Sequence, residues 1–460
     1  MKRFVLLIAV FLTAFSIASA KAPKYVFYFI GDGMSINAIY GAELLTAARN
    51  GQEFPQPSTI SSLPYRTFVT AYSANNLTTD SAAAGTALAS GVKTNNSVIG
   101  RDPEGNDVKN LVEYARESGY GTAIVTTAGI SHATPASFFG HANDRDDYEE
   151  LNQQLIDGGA DFFAGAGFNV KTRSKVPVTS APEWVVKARE AGWNVLVGKD
   201  AFKDAAKSPK TICLAYEDKW DLPYAIQNPE VRLEDLYKAG VDNMVKYHRK
   251  GFFMMVESSN IDHGGHENDV YAMLEEVNDF SNVIALAVDF YKAHPDETLI
   301  VVTADHETSG LALGNNSGRV KAKVLLNQKM AQADLSAALV KLSKTEKPTW
   351  DAAKTIISDA LGLWEDVKVD YKEEYELRDI FEMTVARGVS STERTLYAAN
   401  DRLAGAAIKL LAKKAGMQQV KYGHTGGQVP LFAIGVGAEK IAACRDNTDI
   451  PKTIRNVARY

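Results

Sequence analysis

The sequence predicts an α/β fold, a three-layer sandwich with a central, mostly parallel sheet. Short apolar runs rich in Val, Ile, Phe or Met are typical of strands that are buried on both faces. Segments with helical periodicity lie between these runs, as in Asn110–Glu117 and Tyr271–His294. Such alternation of strand and helix favours an α/β sandwich. The runs are Tyr25–Ile30, Thr122–Thr126, Gly251–Val256, Thr298–Thr303 and Val429–Val436.

A different pattern occupies residues 320–417, which we call the helical segment. It carries Lys, Glu, Ala and Leu at helical periods, in Asp334–Leu342, Thr349–Leu363 and Thr392–Lys414, and no strong strand run interrupts it. We interpret it as a helical insertion in one α/β domain that spans residues 21–460, and we expect it to border a site or a subunit contact. Ordinary crossover helices are the alternative.

Composition limits the classes of function. The chain has 460 residues, of which 45% are hydrophobic and 23% charged, as in globular proteins rather than disordered ones. A net charge of −6 does not provide the basic field on which general nucleic-acid binding relies. With two cysteines, Cys213 and Cys444, a cysteine-ligated zinc site is excluded, so a metal would be held by His, Asp and Glu.

The first twenty residues have the pattern of a signal peptide. Lys2 and Arg3 precede the apolar run Phe4–Phe15, and Ala18-Ser19-Ala20 resembles a cleavage site. A membrane anchor or a buried N-terminal helix is the alternative. We therefore expect an exported protein, periplasmic or secreted, that keeps no transmembrane anchor after cleavage. Export would permit a disulfide between the two cysteines, and two separate buried thiols are about equally expected.

Carboxylates and imidazoles follow several of the apolar runs, where open α/β sheets place their sites. Taken singly, each is explained by an ordinary polar loop, but their number and placement indicate one cavity. An oxygen and imidazole donor set without thiolate suits catalytic Zn²⁺, with Mg²⁺ at an oxygen-rich position. The candidate ligands are Asp32, Glu257, Asp262, His266, Asp305, His306 and His424, with His263 beside them.

A candidate nucleophile begins the Ala-rich stretch Ser81–Ser90, which ends before Gly91. Capping by Asp80 or Thr79 would place Ser81 in the first helical turn, where free N–H groups and the helix dipole favour phosphate. The alternative is a structural helix in which Ser81 has no role. Further along, Arg145 would grip two phosphate oxygens if the fold brought it to the cavity.

Six sequence motifs, which follow one another along the chain, carry a specific resemblance to one known family. The sequence from about residue 24 to residue 438, without the helical segment, resembles the alkaline phosphatase family. The motifs are Gly31-Asp32-Gly33-Met34, Thr79-Asp80-Ser81-Ala82-Ala83, His132-Ala133-Thr134-Pro135-Ala136, Val256-Glu257 with Ile261-Asp262-His263 and His266, Thr303-Ala304-Asp305-His306, and His424-Thr425-Gly426.

The resemblance implies an exported enzyme that hydrolyses phosphate monoesters to an alcohol and inorganic phosphate. It implies that Ser81 becomes phosphoserine and that Arg145 clamps the phosphate. Two zinc ions per chain and one Mg²⁺ are implied, and many relatives are dimers, so a homodimer is allowed. The implied ligands are Asp262, His266 and His424 for one zinc, Asp32, Asp305 and His306 for the other, and Asp32, Thr134 and Glu257 for Mg²⁺.

Two positions depart from the familiar periplasmic pattern of this family. His132 stands where that pattern has Asp, and His263 stands where it has Lys. A neutral imidazole makes the third metal position less negative, so we expect Mg²⁺ there to be weak or replaced by another ion. Loss of a Lys-type contact at His263 is expected to loosen phosphate.

Three other functions are alternatives to this interpretation. The first is a different enzyme of the same superfamily, above all a phosphodiesterase, although those commonly use Thr where this chain has Ser81. The second is a metal or phosphate carrier with an inert site, against which the complete ligand set argues. The third is dinucleotide binding through Gly165-Ala166-Gly167, which lacks the third glycine and the acidic partner of that motif.

Overall fold

The structure is a computed structural model that describes residues 22–170, 179–314, 318–388, 392–394 and 399–460. A nine-stranded sheet forms its centre. The strands are β1 (Tyr25–Gly31), β2 (Tyr65–Thr70), β3 (Gly121–Thr126), β4 (Phe162–Gly165), β5 (Asn194–Val197), β6 (Thr211–Leu214), β7 (Phe252–Ser258), β8 (Thr298–Ala304) and β9 (Gln428–Gly435).

The strand order is β2-β9-β8-β1-β7-β3-β4-β6-β5. Neighbours from β8 to β5 pair in parallel, whereas β9 is antiparallel to both β8 and β2. The mostly parallel sheet and all five predicted strands are confirmed, although Val429–Val436 does not run parallel to its neighbours. The strands that were not predicted are an exposed edge strand, β2, and three strands of only four residues, β4, β5 and β6.

Fifteen α-helices are described. They are α1 (Ile36–Arg49), α2 (Ser81–Ser90), α3 (Leu111–Glu117), α4 (Ala133–Ala136), α5 (Tyr148–Ile156), α6 (Ala181–Glu190), α7 (Leu233–Tyr247), α8 (Asn260–Glu267), α9 (Val270–Ala293), α10 (Gln332–Ser343), α11 (Trp350–Leu361), α12 (Tyr371–Met383), α13 (Arg402–Ala415), α14 (Ala438–Ile441) and α15 (Asp449–Ala458). Short 3₁₀ helices are Lys199–Lys207, Ala225–Gln227, Ala322–Asn327 and Val385–Arg387.

Side chains of β1 show that helices cover both faces of the sheet. Successive side chains of a strand point to opposite faces. Phe27 and Phe29 contact the rings of α7 and α9, whereas Tyr28 contacts Phe138, which follows α4. All three side chains are fully buried, and burying each phenylalanine contributes about 1.5–3 kcal/mol. The predicted three-layer arrangement is therefore confirmed.

Helix α2 begins as predicted. The side chain of Asp80, rather than that of Thr79, caps it by accepting a hydrogen bond from the Ala83 N–H at 3.0 Å. Gly91 ends the helix with a φ of 78°, a conformation that glycine adopts without steric cost. Ser81 is consequently the first helical residue, and it is completely buried.

The helical segment contains α10 to α13, and one of its predicted helices is wrong at its start. Short antiparallel strands, Thr392–Arg394 and Ala399–Asp401, occupy the beginning of the predicted helix Thr392–Lys414, so strands do interrupt the segment. Asp401 then caps α13 by accepting hydrogen bonds from the N–H groups of Leu403 and Ala404. Ala-rich periodicity predicted the helix but did not reveal where its cap lies. That the segment is an insertion remains a prediction.

The remaining expectations concern the chain's ends and its cysteines. The predicted signal peptide, residues 1–20, lies outside the described residues. Within the described ranges, no helix is long and apolar enough to cross a membrane. Cys213 and Cys444 are both buried and both free thiols, so the alternative of two separate thiols holds in this structure.

Candidate functional site

Three neighbouring strands bring the candidate ligands to one edge of the sheet. Gly31, the last residue of β1, pairs with Ser258 of β7 and with Ala304 of β8. Asp32 and Asp305 directly follow these aligned strand ends, and Glu257 lies one residue before the end of β7. The parallel register thus places three carboxylates from distant parts of the chain side by side.

Within the described residues, the carboxylates and imidazoles form three groups whose ligand atoms lie within 4.8 Å of one another. We call them the His424 group (Asp262, His306, His424), the Asp305 group (Asp32, Asp305, His306) and the Glu257 group (Asp32, His132, Glu257). Because His306 and Asp32 each belong to two groups, the three form one continuous cluster.

The His424 group is completed by His266, four residues after Asp262 on α8. His266 Nε2 lies 3.0 Å from His424 Nε2 and 3.3 Å from Asp262 Oδ2. The other ring nitrogens face backbone carbonyls, His266 Nδ1 at 2.7 Å from Tyr422 O and His424 Nδ1 at 2.9 Å from Thr79 O. Such contacts orient both rings so that their Nε2 atoms converge.

In the Asp305 group, one carboxylate oxygen of Asp305 accepts backbone hydrogen bonds and the other points into the cluster. Asp305 Oδ1 accepts hydrogen bonds from the N–H of Gly33 at 3.0 Å and of His306 at 2.8 Å. Its Oδ2 lies 3.1 Å from His306 Nε2, and Asp32 Oδ1 lies 3.5 Å from the same nitrogen. His306 Nε2 therefore faces both carboxylates.

The Glu257 group lies on the far side of Asp32. Glu257 Oε2 accepts a hydrogen bond from the hydroxyl of Thr126. The hydroxyl of Thr134, in the first turn of α4, also favours the ionised form of Glu257. The structure therefore brings Thr134 to the same place as Asp32, Glu257 and His132.

Burial dominates the ionisation of this cluster. It raises the pKa of Asp305 and of Glu257 to about 7, and, together with the charges of Asp305 and Asp262, raises the pKa of Asp32 well above its ordinary value. Asp262 differs, because the charges of His266, His424 and His306 outweigh burial and lower its pKa. The cluster without cations thus holds more carboxylate than it can keep ionised at neutral pH.

Ser81 lies against this cluster. Its Oγ is 3.3 Å from His306 Nε2, and its side chain is completely buried at the N-terminus of α2. The N-terminus of a ten-residue helix carries a positive partial charge that favours an anion. The Ser81 hydroxyl consequently lies between an anion-favouring helix end and the carboxylate cluster.

Arg145 is buried beside the same helix end rather than solvated, although it stands in a charged run of the sequence. Its side chain is 9% exposed. Nη1 lies 3.3 Å from Asp80 Oδ2, and Nη2 lies 3.2 Å from His132 Nε2. Asp80, which caps α2, therefore also fixes the guanidinium next to Ser81.

His132 and His263 lie next to each other on this side of the cluster, with ring centroids 6.1 Å apart and ring planes nearly perpendicular. Burial lowers the pKa of His263 to about 4, and burial together with Arg145 lowers the pKa of His132 well below its ordinary value. Both imidazoles are therefore neutral at pH 7. Every predicted site residue lies in or beside the cluster, and their chemical roles remain predictions.

Sequence reasoning missed the residues that orient this cluster. Thr308 is buried, and its hydroxyl contacts Asp262 Oδ1 and lies 3.3 Å from His306 Nδ1. A signal was present, because Thr308 stands two residues after His306, on the same side of an extended chain. The carbonyls of Thr79 and Tyr422 carried no signal, since every residue has one.

Comparisons with known proteins find similarity to one family. The sequence profile of the family described as "Alkaline phosphatase" matches residues 23–460. Alkaline phosphatase 4 of Bacillus subtilis is 30% identical over 378 residues, covering 81% of this chain and 74% of that protein. Alkaline phosphatase 3 of the same organism is 30% identical over 402 residues, covering 83% and 77%. The crystal structure of a cold-active alkaline phosphatase from Shewanella sp. is 25% identical, with a TM-score of 0.79, and covers 94% of this chain and 99% of that one.

Proposed function

This chain belongs to the alkaline phosphatase family of hydrolases, and from that premise we propose that it hydrolyses phosphate monoesters through a phosphoserine on Ser81. The observation that carries the proposal is the buried Ser81 Oγ, 3.3 Å from His306 Nε2, at the N-terminus of α2 and against the carboxylate cluster. In this mechanism Ser81 Oγ attacks phosphorus and displaces the alcohol. Water then hydrolyses the phosphoserine and releases phosphate.

Arg145 and the start of α2 bind the phosphoryl oxygens. The guanidinium offers a planar pair of N–H donors, which suits two oxygens of one phosphate. Asp80 holds Nη1 and His132 faces Nη2, so the side chain is oriented before substrate arrives. Because Arg145 is buried, its interaction with an anion is weakly screened by solvent.

The cluster has the chemistry of a cation site. Both carboxylate oxygens of Asp32 and Glu257 Oε1 are buried without a hydrogen-bond partner among the described residues, an arrangement that is costly unless a cation satisfies them. We assign one Zn²⁺ to Asp262, His266 and His424, and a second to Asp32, Asp305 and His306. Mg²⁺, weakly held or replaced, is assigned to Asp32, Thr134 and Glu257. Bound there, zinc would lower the pKa of a hydroxyl group or water molecule that it binds, and it would stabilise the negative charge of the phosphoryl group during transfer.

The proposal extends to the surroundings of the enzyme. Residues 1–20 would direct export, so the mature protein would act in the periplasm or outside the cell. Small phosphomonoesters are the proposed substrates, and a homodimer is the proposed assembly. Helix α13 of the helical segment reaches the rim of the cluster, because Lys409 contacts Tyr422, whose carbonyl faces His266. This contact supports a role for the segment at the mouth of the site.

The test is hydrolysis of a chromogenic phosphate monoester and of the matching diester, at alkaline pH with zinc and magnesium. We expect the protein to hydrolyse the monoester, EDTA to abolish this activity, and added zinc to restore it. The Ser81→Ala variant should still bind zinc but should be inactive. Ser90→Ala, at the other end of α2, is the matched control and should keep full activity. A diester preference would move the chain to the alternative, a phosphodiesterase of the same superfamily. A zinc-loaded protein without turnover would contradict the proposal.

A further inference from the structure

Thr308 lies between two candidate ligands, Asp262 and His306, that are assigned to two different zinc ions. It is 1% exposed, its Oγ1 contacts Asp262 Oδ1, and the same oxygen is 3.3 Å from His306 Nδ1. It also occupies a two-residue strand, Glu307–Thr308, whose antiparallel register places Thr308 opposite His424. One buried hydroxyl thus lies against Asp262, a proposed ligand of one zinc, and against His306, a proposed ligand of the other.

The direction of these two hydrogen bonds follows from counting protons. A threonine hydroxyl has one proton to donate, and an ionised carboxylate only accepts. Asp262 lies 3.3 Å from His266 Nε2 and 3.6 Å from His424 Nε2, as a candidate ligand, and a carboxylate that binds a cation is in its ionised form. Thr308 therefore donates to Asp262 Oδ1, and its remaining lone pairs accept from His306, which must carry its proton on Nδ1.

A proton on Nδ1 leaves the lone pair of a neutral imidazole on Nε2. That is the nitrogen of His306 that faces the reactive part of the cluster, at 3.1 Å from Asp305 Oδ2 and 3.3 Å from Ser81 Oγ. The other tautomer would place a proton where a cation must bind. The tautomer of His306 consequently decides whether this ring is a ligand at all.

The Thr308 side chain packs closely against the backbones of two glycines. A Cβ on Gly33, whose φ is +70°, would lie 2.7 Å from Thr308 Oγ1. A Cβ on Gly265, between Asp262 and His266, would lie 2.8 Å from Thr308 Cγ2. Both branches of the side chain therefore pack against backbone at positions where only glycine fits.

Resting on the proposed function, we propose that Thr308 is a positioning residue for metal binding. Its hydroxyl sets the tautomer of His306 and orients the carboxylate of Asp262, so it couples the two proposed zinc sites. It acts through these two ligands, and nothing in the six sequence motifs assigns it a role.

The experiment separates the hydroxyl from the packing of the side chain. Thr308→Val keeps both branches and removes the hydroxyl, whereas Thr308→Ser keeps the hydroxyl and removes the methyl group. Thr211→Val is the matched control, since Thr211 is buried in β6 and its hydroxyl also donates, to Ser208 O at 2.9 Å, and accepts, from Asn194 Nδ2 at 3.3 Å. Zinc affinity is measured by competition with a chromogenic chelator, alongside thermal unfolding of the metal-free proteins.

We expect Thr308→Val to weaken zinc binding about tenfold, the usual size of the effect when a group that orients a ligand is lost. Thr308→Ser and Thr211→Val should bind zinc within about twofold of the wild type on the same grounds. Unchanged zinc affinity in Thr308→Val, or an equal loss in Thr308→Ser, would overturn the proposal. If the wild type itself binds no zinc, the proposed function fails first, so the two failures are distinguishable.

A second measurement needs no folded variant at position 308. In wild-type protein labelled with ¹⁵N-histidine, His306 should show protonated Nδ1 and unprotonated Nε2, with its signals identified by their loss in His306→Gln. This pattern should be present in the metal-free and in the zinc-loaded protein. A proton on Nε2 in the metal-free protein would overturn the proposal even if Thr308→Val failed to fold.

Discussion

Glu374, in the helical segment, and Asp32, in the site, are acidic residues whose surroundings shift their pKa values in opposite directions. Glu374 accepts hydrogen bonds from Lys354 Nζ at 2.8 Å and from Trp364 Nε1 at 3.0 Å, and these partners lower its pKa. Asp32 is completely buried, and burial with neighbouring carboxylates raises its pKa. The helical segment supplies hydrogen-bond donors to Glu374 from its own side chains. No described residue donates a hydrogen bond to the carboxylate of Asp32. This difference indicates that the site is built to be completed by cations.

Substitution of Asp32 tests this difference most severely, because Asp32 belongs to two groups. With zinc present, Asp32→Asn should lower monoester hydrolysis by at least about 1,000-fold, since both groups lose a charged ligand. Without metal at pH 9, the same variant should unfold at a higher temperature than the wild type, because it removes a buried carboxyl whose raised pKa destabilises the folded state at alkaline pH. Kinetic assays and thermal unfolding check the two halves. A lower unfolding temperature in the metal-free variant would break the comparison.

The pH dependence of stability should change sign with metal. Folded Glu257 and Asp305 have pKa values of about 7, above their ordinary values of 4.5 and 3.8, so the folded protein without metal binds more protons than the unfolded chain in this window. The stability that these two carboxyl groups contribute is therefore full below about pH 4 and is lost as pH rises through 7. With zinc, protons compete with cations, and stability should fall on acidification. Urea unfolding from pH 5 to 8 checks both slopes, and parallel slopes would contradict the prediction.

His132→Asp should sharpen the comparison at the Glu257 group. Burial and Arg145 keep His132 neutral, so a carboxylate there adds negative charge beside Asp32 and Glu257. We expect Mg²⁺ affinity to rise about tenfold, as for one added hard ligand near a cation. Equilibrium dialysis with metal analysis of the zinc-loaded protein measures it. His141→Asp is the control for the added charge, because His141 is half-buried and contacts Val108 O rather than the cluster. This variant should bind Mg²⁺ with the affinity of the wild type.

The smallest effect is expected in the helical segment. Glu374→Gln weakens the pairing with Lys354 but keeps an acceptor for the indole N–H groups, so the free energy of unfolding should fall by about 1 kcal/mol or less. Zinc affinity should stay that of the wild type, because Glu374 lies in none of the three groups. Urea unfolding and chelator competition measure the two quantities. A weakened zinc site would show that the segment and the cluster are coupled more closely than their contacts indicate.

The sequence by itself determined the class of the fold and most of the candidate site. Continuous apolar runs are sufficient to predict strands buried on both faces, and polar residues after Ile30, Val256 and Thr303 predict a site at the ends of those strands. Asp80 and Gly91 fixed both ends of α2, because caps are local interactions between neighbours in the chain. Motif order then carried the resemblance to the family.

Only the tertiary structure decided how these residues group. Sheet register placed Gly31 beside Ser258 and Ala304, and no local pattern encodes which strands become neighbours. The antiparallel direction of β9 and the strand before α13 were likewise missed, since direction and pairing depend on partners far away in sequence.

Thr308 and Arg145 show the same limit at the level of single residues. Arg145 stands in a charged run that resembles solvated surface, yet the fold buries it between Asp80 and His132. The role of Thr308 depends on the positions of Asp262 and His306, 46 and two residues away. Secondary structure follows from short-range periodicity, whereas hydrogen bonds and charge repulsion inside the site depend on distances that only the packed chain sets.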